Sequence, residues 1–176
     1  CIPCTMTASA SVTNVNCFSG NDGTATATPV NGSPNYSYLW SPGGQTGATA
    51  TALTAGIYSV TITDAASCTA TASATVTEPS TAVSTTSSST TETCAGSDGS
   101  ATIVASGGTG ALSYLWSLGG QTTAAATGLS ANNYSYTVTD INGCTDIGIV
   151  NVPTNCLTGC DTISNINFAT DTVRFY

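Results

Sequence analysis

The amino-acid sequence predicts an all-β protein built from two β-sandwich domains in tandem. The first observation is a duplication: YSYLWSPGGQT, with Trp40, returns as LSYLWSLGGQT, with Trp116, 76 residues later. A fixed period of this kind marks two copies of one structural module. The second is composition, since Thr, Ser, Val, Ala and Gly dominate while helix-favouring Leu, Glu, Lys and Arg are scarce. The third is a series of short alternating runs separated by turn residues, which is typical of sandwiches.

Strands of the first copy are expected where apolar and polar residues alternate. In GIYSVTITD, Tyr58, Val60 and Ile62 face one side, and Ile57 with three hydroxyl residues faces the other. The alternation predicts a strand with one buried face. Further strands of this copy are expected at 5–13, 23–30, 35–41, 47–53 and 69–78.

The second copy repeats the pattern. NYSYTVTD continues it through Tyr134, Tyr136 and Val138, although the pattern leaves open which tyrosine is buried. Other strands are expected at 81–93, 99–105, 112–117, 123–127 and 145–152. Residues that tolerate positive φ should form the turns between strands, at NDG 21–23, NGSP 31–34, SPGGQ 41–45 and ING 141–143.

The sequence divides into a first domain at 1–79, a second at 80–153 and a strand-like tail at 154–176. Pro79 ends a strand, and a Ser/Thr-rich run follows it. Taken alone, that run is typical of a flexible or mucin-like linker. Its counterpart before Cys17, TMTASASVTNVN, has the pattern of a strand. We therefore expect a first strand of the second domain and a short, stiff junction.

Each copy has one Trp on a central strand and a cysteine near each end, an arrangement that is immunoglobulin-like in outline. Trp40 and Trp116 are expected in the cores. Cys17 with Cys68, and Cys94 with Cys144, are the expected disulfides within the domains, and each loop would contribute about 4 kcal/mol. Eight cysteines without any His indicate an oxidising compartment outside the cytosol.

The charge balance excludes several classes of function. The 176 residues contain one Lys or Arg, nine Asp or Glu and no His. Nucleic-acid binding needs many cations that neutralise phosphate, so it is excluded. Ser-His-Asp, Cys-His and histidine-metal sites cannot be built. Two carboxylates could still do the acid–base work of a glycosidase, but the acids fall mostly beside Gly or at strand ends, so we expect no enzyme and no cofactor. The sequence contains no run of about 18 consecutive apolar residues, the length that a membrane-spanning helix needs. Since the sequence does not start with Met, we expect a processed mature chain or a fragment of a longer one. The alternative is that Cys1 is the lipid-bearing N-terminal cysteine of a bacterial lipoprotein.

Three matched segments carry a resemblance to a known family. They are CFSGNDGTATATPV with CAGSDGSATIVASGG, the two LWS-x-GGQT segments quoted above, and LTAGIYSVTITDAASC with LSANNYSYTVTDINGC. Over roughly residues 5–153 the chain resembles the SprB repeat, a tandem module of surface proteins and gliding-motility adhesins of the Bacteroidota. The resemblance implies an immunoglobulin-like fold, secretion to the cell surface and a structural or adhesive role. It supplies no catalytic residues.

The segments flanking the repeats hold four further cysteines: Cys1, Cys4, Cys156 and Cys160. Because tandem sandwiches place the two ends far apart, a bridge between them within one molecule is geometrically hard. Head-to-tail bridges between neighbouring subunits would make a covalent filament. Local Cys1–Cys4 and Cys156–Cys160 bridges are the alternative. A four-Cys zinc site is disfavoured because an oxidising compartment removes free thiolates.

The tail alternates apolar residues at Ile166 and Phe168 and again at Val173 and Phe175. Such a segment can add a strand to the open sheet edge of another subunit, or it can pack on its own second domain. Thr162 and Thr172, in DTI and DTV, resemble the O-glycosylation signal of the Bacteroidota.

Four acids, Asp22, Asp64, Asp98 and Asp140, lie in turns or at strand ends. Calcium requires six to eight oxygens, often from several carboxylates. With so few acids available, we expect hydrogen bonds to the backbone of the turns and no metal.

The sequence therefore predicts a secreted structural subunit of an extracellular filament. Copies would join head-to-tail through their termini, by disulfides or by strand addition. The alternative is a cell-surface adhesin or carbohydrate-binding module. It would bind surface polysaccharide through aromatic residues such as Tyr36, Tyr38, Tyr114 and Trp40.

Overall fold

The computed structural model describes residues 4–94 and 96–155, and all regular elements in this part are β-strands. No helix that could cross a membrane occurs among these residues. The first copy contains β1 (Thr7–Thr13), β2 (Gly23–Val30), β3 (Ser37–Ser41), β4 (Thr49–Leu53), β5 (Gly56–Thr63) and β6 (Thr69–Val76). The second contains β7 (Ser84–Thr90), β8 (Gly99–Ser106), β9 (Ser113–Trp116), β10 (Ala125–Leu129), β11 (Asn132–Thr139) and β12 (Thr145–Val152).

Each copy folds into two three-stranded antiparallel sheets. Sheets β1-β2-β4 and β3-β5-β6 form the first sandwich, and sheets β7-β8-β10 and β9-β11-β12 form the second. Strand β1 lies beside β6, and β7 lies beside β12, which closes the same side of each sandwich. The predicted fold class, two tandem immunoglobulin-like sandwiches, is confirmed. Strand β7 lies inside the Ser/Thr-rich run, so the interpretation of that run as a first strand is confirmed.

The two tryptophans anchor the two cores. Trp40 and Trp116 are each 1% exposed. Each indole N–H donates a 3.0 Å hydrogen bond to a backbone carbonyl, from Trp40 to Gly47 and from Trp116 to Thr123. Since the polar edge of the ring is satisfied, its large apolar surface is buried without an unpaired donor. The expectation that both residues belong to the cores is confirmed.

Both candidate tyrosines of the second copy are buried, Tyr134 at 6% exposure and Tyr136 at 4%. Tyr136 takes the place that Val60 has in the first sandwich. It pairs with Gly148, whereas Val60 pairs with Ala72. A Cβ at Gly148 would lie 2.3 Å from the Tyr136 hydroxyl, so the larger ring requires glycine opposite it. The two differences between the copies therefore compensate each other.

The turn predictions hold at three of four sites. Positive φ occurs at Asn31 (62°), Gly43 (103°), Gly44 (65°) and Gly143 (86°). The prediction for 21–23 is wrong, because the positive φ of that loop falls on Ser19. Gly23 is required for another reason: a Cβ there would lie 2.7 Å from Val76 Cγ1 and 2.8 Å from the Leu53 carbonyl oxygen.

A β-bulge occurs at the same place in both sandwiches. The register of β4 against β2 shifts around Ala52, and that of β10 against β8 shifts at Gly128. Both residues have positive φ, 55° at Ala52 and 70° at Gly128. Bulges often place one residue in this left-handed region, where glycine is favoured. The first copy has alanine at this position, which is less stable than glycine in the left-handed region.

Candidate functional site at the poles of the sandwiches

Each sandwich has two ends, and the cysteines and acids cluster there. We call N-pole the end that carries the β2–β3 and β5–β6 loops, or their counterparts β8–β9 and β11–β12. We call C-pole the opposite end, with the β1–β2 and β4–β5 loops or their counterparts. The strands between the poles are antiparallel, so loops that alternate along the chain meet at one pole.

The N-pole of the first sandwich is closed by a disulfide between Cys4 and Cys68, with a Cα–Cα distance of 5.6 Å. The predicted Cys17–Cys68 pairing is therefore wrong. Cys17 lies at the C-pole and Cys68 at the N-pole, separated by the length of an eight-residue strand such as β5, which is about 26 Å. A disulfide requires Cα atoms within about 7 Å.

A second disulfide joins the two sandwiches. Cys17, at the C-pole of the first, is bonded to Cys144, at the N-pole of the second, again with a Cα–Cα distance of 5.6 Å. The predicted Cys94–Cys144 pairing is wrong for the same geometric reason. Cys94 is also disulfide-bonded. Cys4 is bonded to Cys68, so the alternative of a local bridge between Cys1 and Cys4 is wrong as well.

Hydrogen bonds support the junction between the sandwiches. The Asn142 side-chain amide donates to the Asn16 carbonyl at 3.1 Å. The segment between β6 and β7 is held to the β1–β2 loop of the first sandwich, where the Ser19 N–H donates to Glu78 Oε2 at 2.6 Å. The Gly108 N–H donates to the Thr81 carbonyl at 3.2 Å. The C-pole of the first sandwich thus lies against the N-pole of the second through covalent and polar contacts.

One acid organises each N-pole. The Asp64 carboxylate accepts hydrogen bonds from the N–H groups of Ser33 (2.9 Å), Ala66 (2.9 Å) and Cys68 (2.8 Å). The Ser33 N–H is the main cause of the lowered pKa of Asp64, with Cys68 and Ala66 adding to it against the effect of burial. These bonds fix the β5–β6 loop, which presents Cys68.

Asp140 has the same role at the second N-pole. Its carboxylate accepts from the N–H groups of Thr109 (2.8 Å), Asn142 (2.9 Å) and Cys144 (2.9 Å). Burial acts to raise the pKa of Asp140, but the backbone donors together outweigh it and the pKa is lowered. The loop that presents Cys144 is therefore held by an ionised carboxylate.

The remaining two acids hold the C-pole loops. Asp22 accepts hydrogen bonds from the backbone and side chain of Asn16, and Asp98 accepts from the hydroxyl and N–H of Thr93. The Thr93 hydroxyl and then its N–H lower the pKa of Asp98. The expected turn-stabilising role of all four acids is confirmed. Among the described residues, no group of three or more His, Cys, Asp or Glu side chains could hold a metal ion.

A cavity of about 330 Å³ opens at the first N-pole. Its lining includes Cys4, Met6, Asn31, Asp64 and Cys68. Since three backbone N–H groups occupy the Asp64 carboxylate, this carboxylate serves the loop rather than a bound substrate.

The aromatic residues considered for sugar binding are not exposed platforms. Trp40 is buried, so its suggested role in binding polysaccharide is wrong. Tyr36, Tyr38 and Tyr114 are half-buried against the cores. The Tyr36 hydroxyl donates to the Gly32 carbonyl at 3.0 Å. A stacking surface for a sugar needs a free ring face, which these contacts reduce.

Other predicted sites lie outside the described residues and stay predictions. They are the flanking cysteines Cys1, Cys156 and Cys160, the strand-donation residues Ile166, Phe168, Val173 and Phe175, and the glycosylation candidates Thr162 and Thr172.

The sequence contains one signal for the pairing that the spacing argument missed. Aligning the copies places Cys4 opposite Thr81, so the first N-pole has two cysteines and the second has one. The single cysteine of the second N-pole, Cys144, can form a disulfide only with a cysteine from another part of the chain, and the neighbouring C-pole supplies Cys17.

Comparison with known proteins agrees with this duplication. The family model of the SprB repeat matches residues 9–45 and 86–122, which run from the first strand of each sandwich to just beyond its tryptophan. The chain matches none of the curated proteins with which it was compared. Among solved structures it is similar to the crystal structure of murine CEACAM1b, at 12% identity over 85% of this chain and 99% of that chain. The TM-score of 0.32 is too low to support an argument. The resemblance of both copies of the duplicated unit to the SprB repeat is thus confirmed.

Proposed function

We propose that the chain is a structural segment of an extracellular fibre, in which sandwiches stack pole to pole and copies join head-to-tail through their terminal segments. The observation that carries the proposal is the Cys17–Cys144 disulfide, which locks one C-pole onto the next N-pole. A module that stacks on its neighbour in this way is suited to building a long, stiff element. The role is mechanical and needs no catalytic residue.

The contact between copies would share the pole-to-pole arrangement of the internal junction but not its disulfide, because Cys68 at the first N-pole is bonded to Cys4 and Cys94 is already disulfide-bonded. Cys94 and Asp98 place the same kind of loop at the C-pole of the second sandwich that Cys17 and Asp22 place at the first. Inter-subunit disulfides would use Cys1, Cys156 or Cys160, because Cys4 is bonded to Cys68. Strand addition by the tail would use an edge strand, and β4 and β10 are edges of their sheets.

Electron microscopy and gel electrophoresis of the natively oxidised protein test the proposal. We expect fibres, and a ladder of covalent multimers without reductant if disulfides join the copies. Fibres that dissociate in detergent without reductant would indicate strand addition. The matched variant lacks residues 161–176 and keeps all eight cysteines. If it assembles as well as the full chain, strand addition is excluded.

The alternative is a monomeric cell-surface adhesin. The two SprB repeats favour it as well, because the family occurs in surface adhesins. Monodisperse monomers at all concentrations, together with binding to a glycan array or to whole cells, would favour this alternative and refute the fibre.

A further inference from the structure

We propose that the Cys17–Cys144 disulfide makes the chain a tension-bearing element in which load bypasses both sandwich cores. Strand β1 runs from the N-pole to the C-pole of the first sandwich and is followed by Cys17. Cys144 directly precedes β12, which runs from the N-pole to the C-pole of the second. One covalent path therefore crosses the molecule, and we call it the tension path: Cys4 to Cys17, the disulfide, and Cys144 to Asn155.

The tension path is short and already extended. It contains 13 Cα-to-Cα steps from Cys4 to Cys17 and 11 from Cys144 to Asn155, so its fully stretched backbone is about 80 Å long at about 3.3 Å per step. Strands β1 and β12, with 7 and 8 residues, already span about 50 Å of it. Pulling on the ends can therefore lengthen the molecule by about 30 Å at most.

The rest of the chain lies inside a closed loop. The disulfide encloses a sequence separation of 127 residues, and this loop holds Trp40, Trp116 and ten of the twelve strands. Force accelerates unfolding through the work it does, which is force multiplied by the extension gained. Because opening either core gains so little length along the tension path, pulling does little work on the cores.

The other disulfides do not lengthen the tension path. Cys4–Cys68 lies off the shortest path, since the direct backbone from Cys4 to Cys17 is shorter than the route through Cys68. The disulfide of Cys94 adds a parallel connection, and a parallel connection never lengthens a path. Without any disulfide, residues 4–155 could extend to about 500 Å.

The tension path lies within a single chain and exists whether or not copies assemble into a fibre. A protein that does not assemble would still have the tension path, and a longer extension under force would not exclude assembly.

Single-molecule force spectroscopy of the full chain, held by peptide tags at both termini, tests the tension path. The oxidised native chain should show no unfolding step that brings the distance between residues 4 and 155 beyond about 80 Å. Reductant should release steps that sum to several hundred ångströms. Hundreds of ångströms of extension from the oxidised native chain would overturn the proposal.

Variants assign the effect to one disulfide. In a background with Cys1, Cys94, Cys156 and Cys160 replaced by Ser, only the two described disulfides remain. Adding Cys17→Ser and Cys144→Ser leaves a path from Cys68 to Asn155, so the limit should rise from about 80 Å to about 300 Å. The matched control, Cys4→Ser with Cys68→Ser, should keep the limit of about 80 Å.

These lengths depend on covalent connectivity, so they remain measurable if a variant does not fold. Equal limits in the two paired variants would refute the assignment to Cys17–Cys144.

Discussion

Ala52 and Gly128 occupy the same bulge in the two sandwiches, and exchanging them gives a matched pair of variants. Both residues are exposed, with φ of 55° and 70°. A Cβ at position 128 would meet its nearest atom, the Ser97 carbonyl oxygen, at 3.8 Å, an ordinary contact. The substitutions therefore change backbone conformational energy with little effect on packing.

The magnitude follows from two opposing terms. An L-residue in the left-handed region costs about 1–2 kcal/mol. Glycine loses more chain entropy on folding, which costs about 0.5–1 kcal/mol relative to alanine. The difference predicts that Ala52→Gly stabilises the first sandwich by about 0.5–1 kcal/mol and that Gly128→Ala destabilises the second by a similar amount.

Calorimetry of the oxidised protein and both variants measures these effects. For a domain of this size, 1 kcal/mol corresponds to about 4–8 °C in Tm. We expect Ala52→Gly to raise the transition of the first sandwich by a few degrees and Gly128→Ala to lower that of the second. The double variant should show both shifts. A lower Tm for Ala52→Gly, or no effect of Gly128→Ala, would refute the reasoning from φ.

Three further predictions concern the core, the cross-link and pH. Ile62→Ala removes a fully buried side chain and should lower the free energy of unfolding by about 2–5 kcal/mol. The control Ile57→Ala removes a side chain that is 71% exposed on the opposite face of β5 and should change it by less than about 0.5 kcal/mol. Urea unfolding measures both, and equal effects would contradict the assigned faces. Replacing Cys17 and Cys144 by Ser opens a loop of 127 residues and should lower the free energy of unfolding by about 5 kcal/mol, which chemical unfolding would measure. Peptide mapping of the native protein without reductant should find these two cysteines in one disulfide-linked pair of peptides. A bond from either of them to another cysteine would contradict the assigned pairing. Because the pKa of Asp64 in the folded state lies below its ordinary value of 3.8, the ionised carboxylate stabilises the fold above pH 3.8, and this stabilisation is lost as the pH falls through the lower folded-state pKa. Asp64→Asn should therefore lower Tm more at pH 6 than at pH 2.5. An equal loss of Tm at the two pH values would contradict this role of Asp64.

The strands could be predicted because alternation is a local property. The run around Tyr58, Val60 and Ile62 fixes which side chains face the core without reference to any distant residue. The Ser/Thr-rich run before Cys94 has no such alternation and was assigned through its counterpart in the first copy. The internal repeat therefore supplied what the local pattern lacked.

The disulfide pairing could not be derived from spacing, because it depends on which pole each loop reaches. Cys17 and Cys68 have the separation of an immunoglobulin-like pair, yet they lie in loops at opposite ends of the sandwich. The roles of the acids were easier to predict, since a carboxylate in a tight turn finds backbone N–H groups within a few residues, as Asp64 does with Ala66 and Cys68.

The paired difference between Val60 with Ala72 and Tyr136 with Gly148 has a genetic consequence. Tandem repeats of similar sequence recombine with one another. A crossover that moved the Tyr136 codon without that of Gly148 would place a phenol ring against a methyl group, given the 2.3 Å separation at Gly148. The reverse exchange would leave a hole beside Trp116. Tyr136 and Gly148 lie 12 residues apart in the chain, so an exchanged segment preserves the core packing only if it carries both residues or neither.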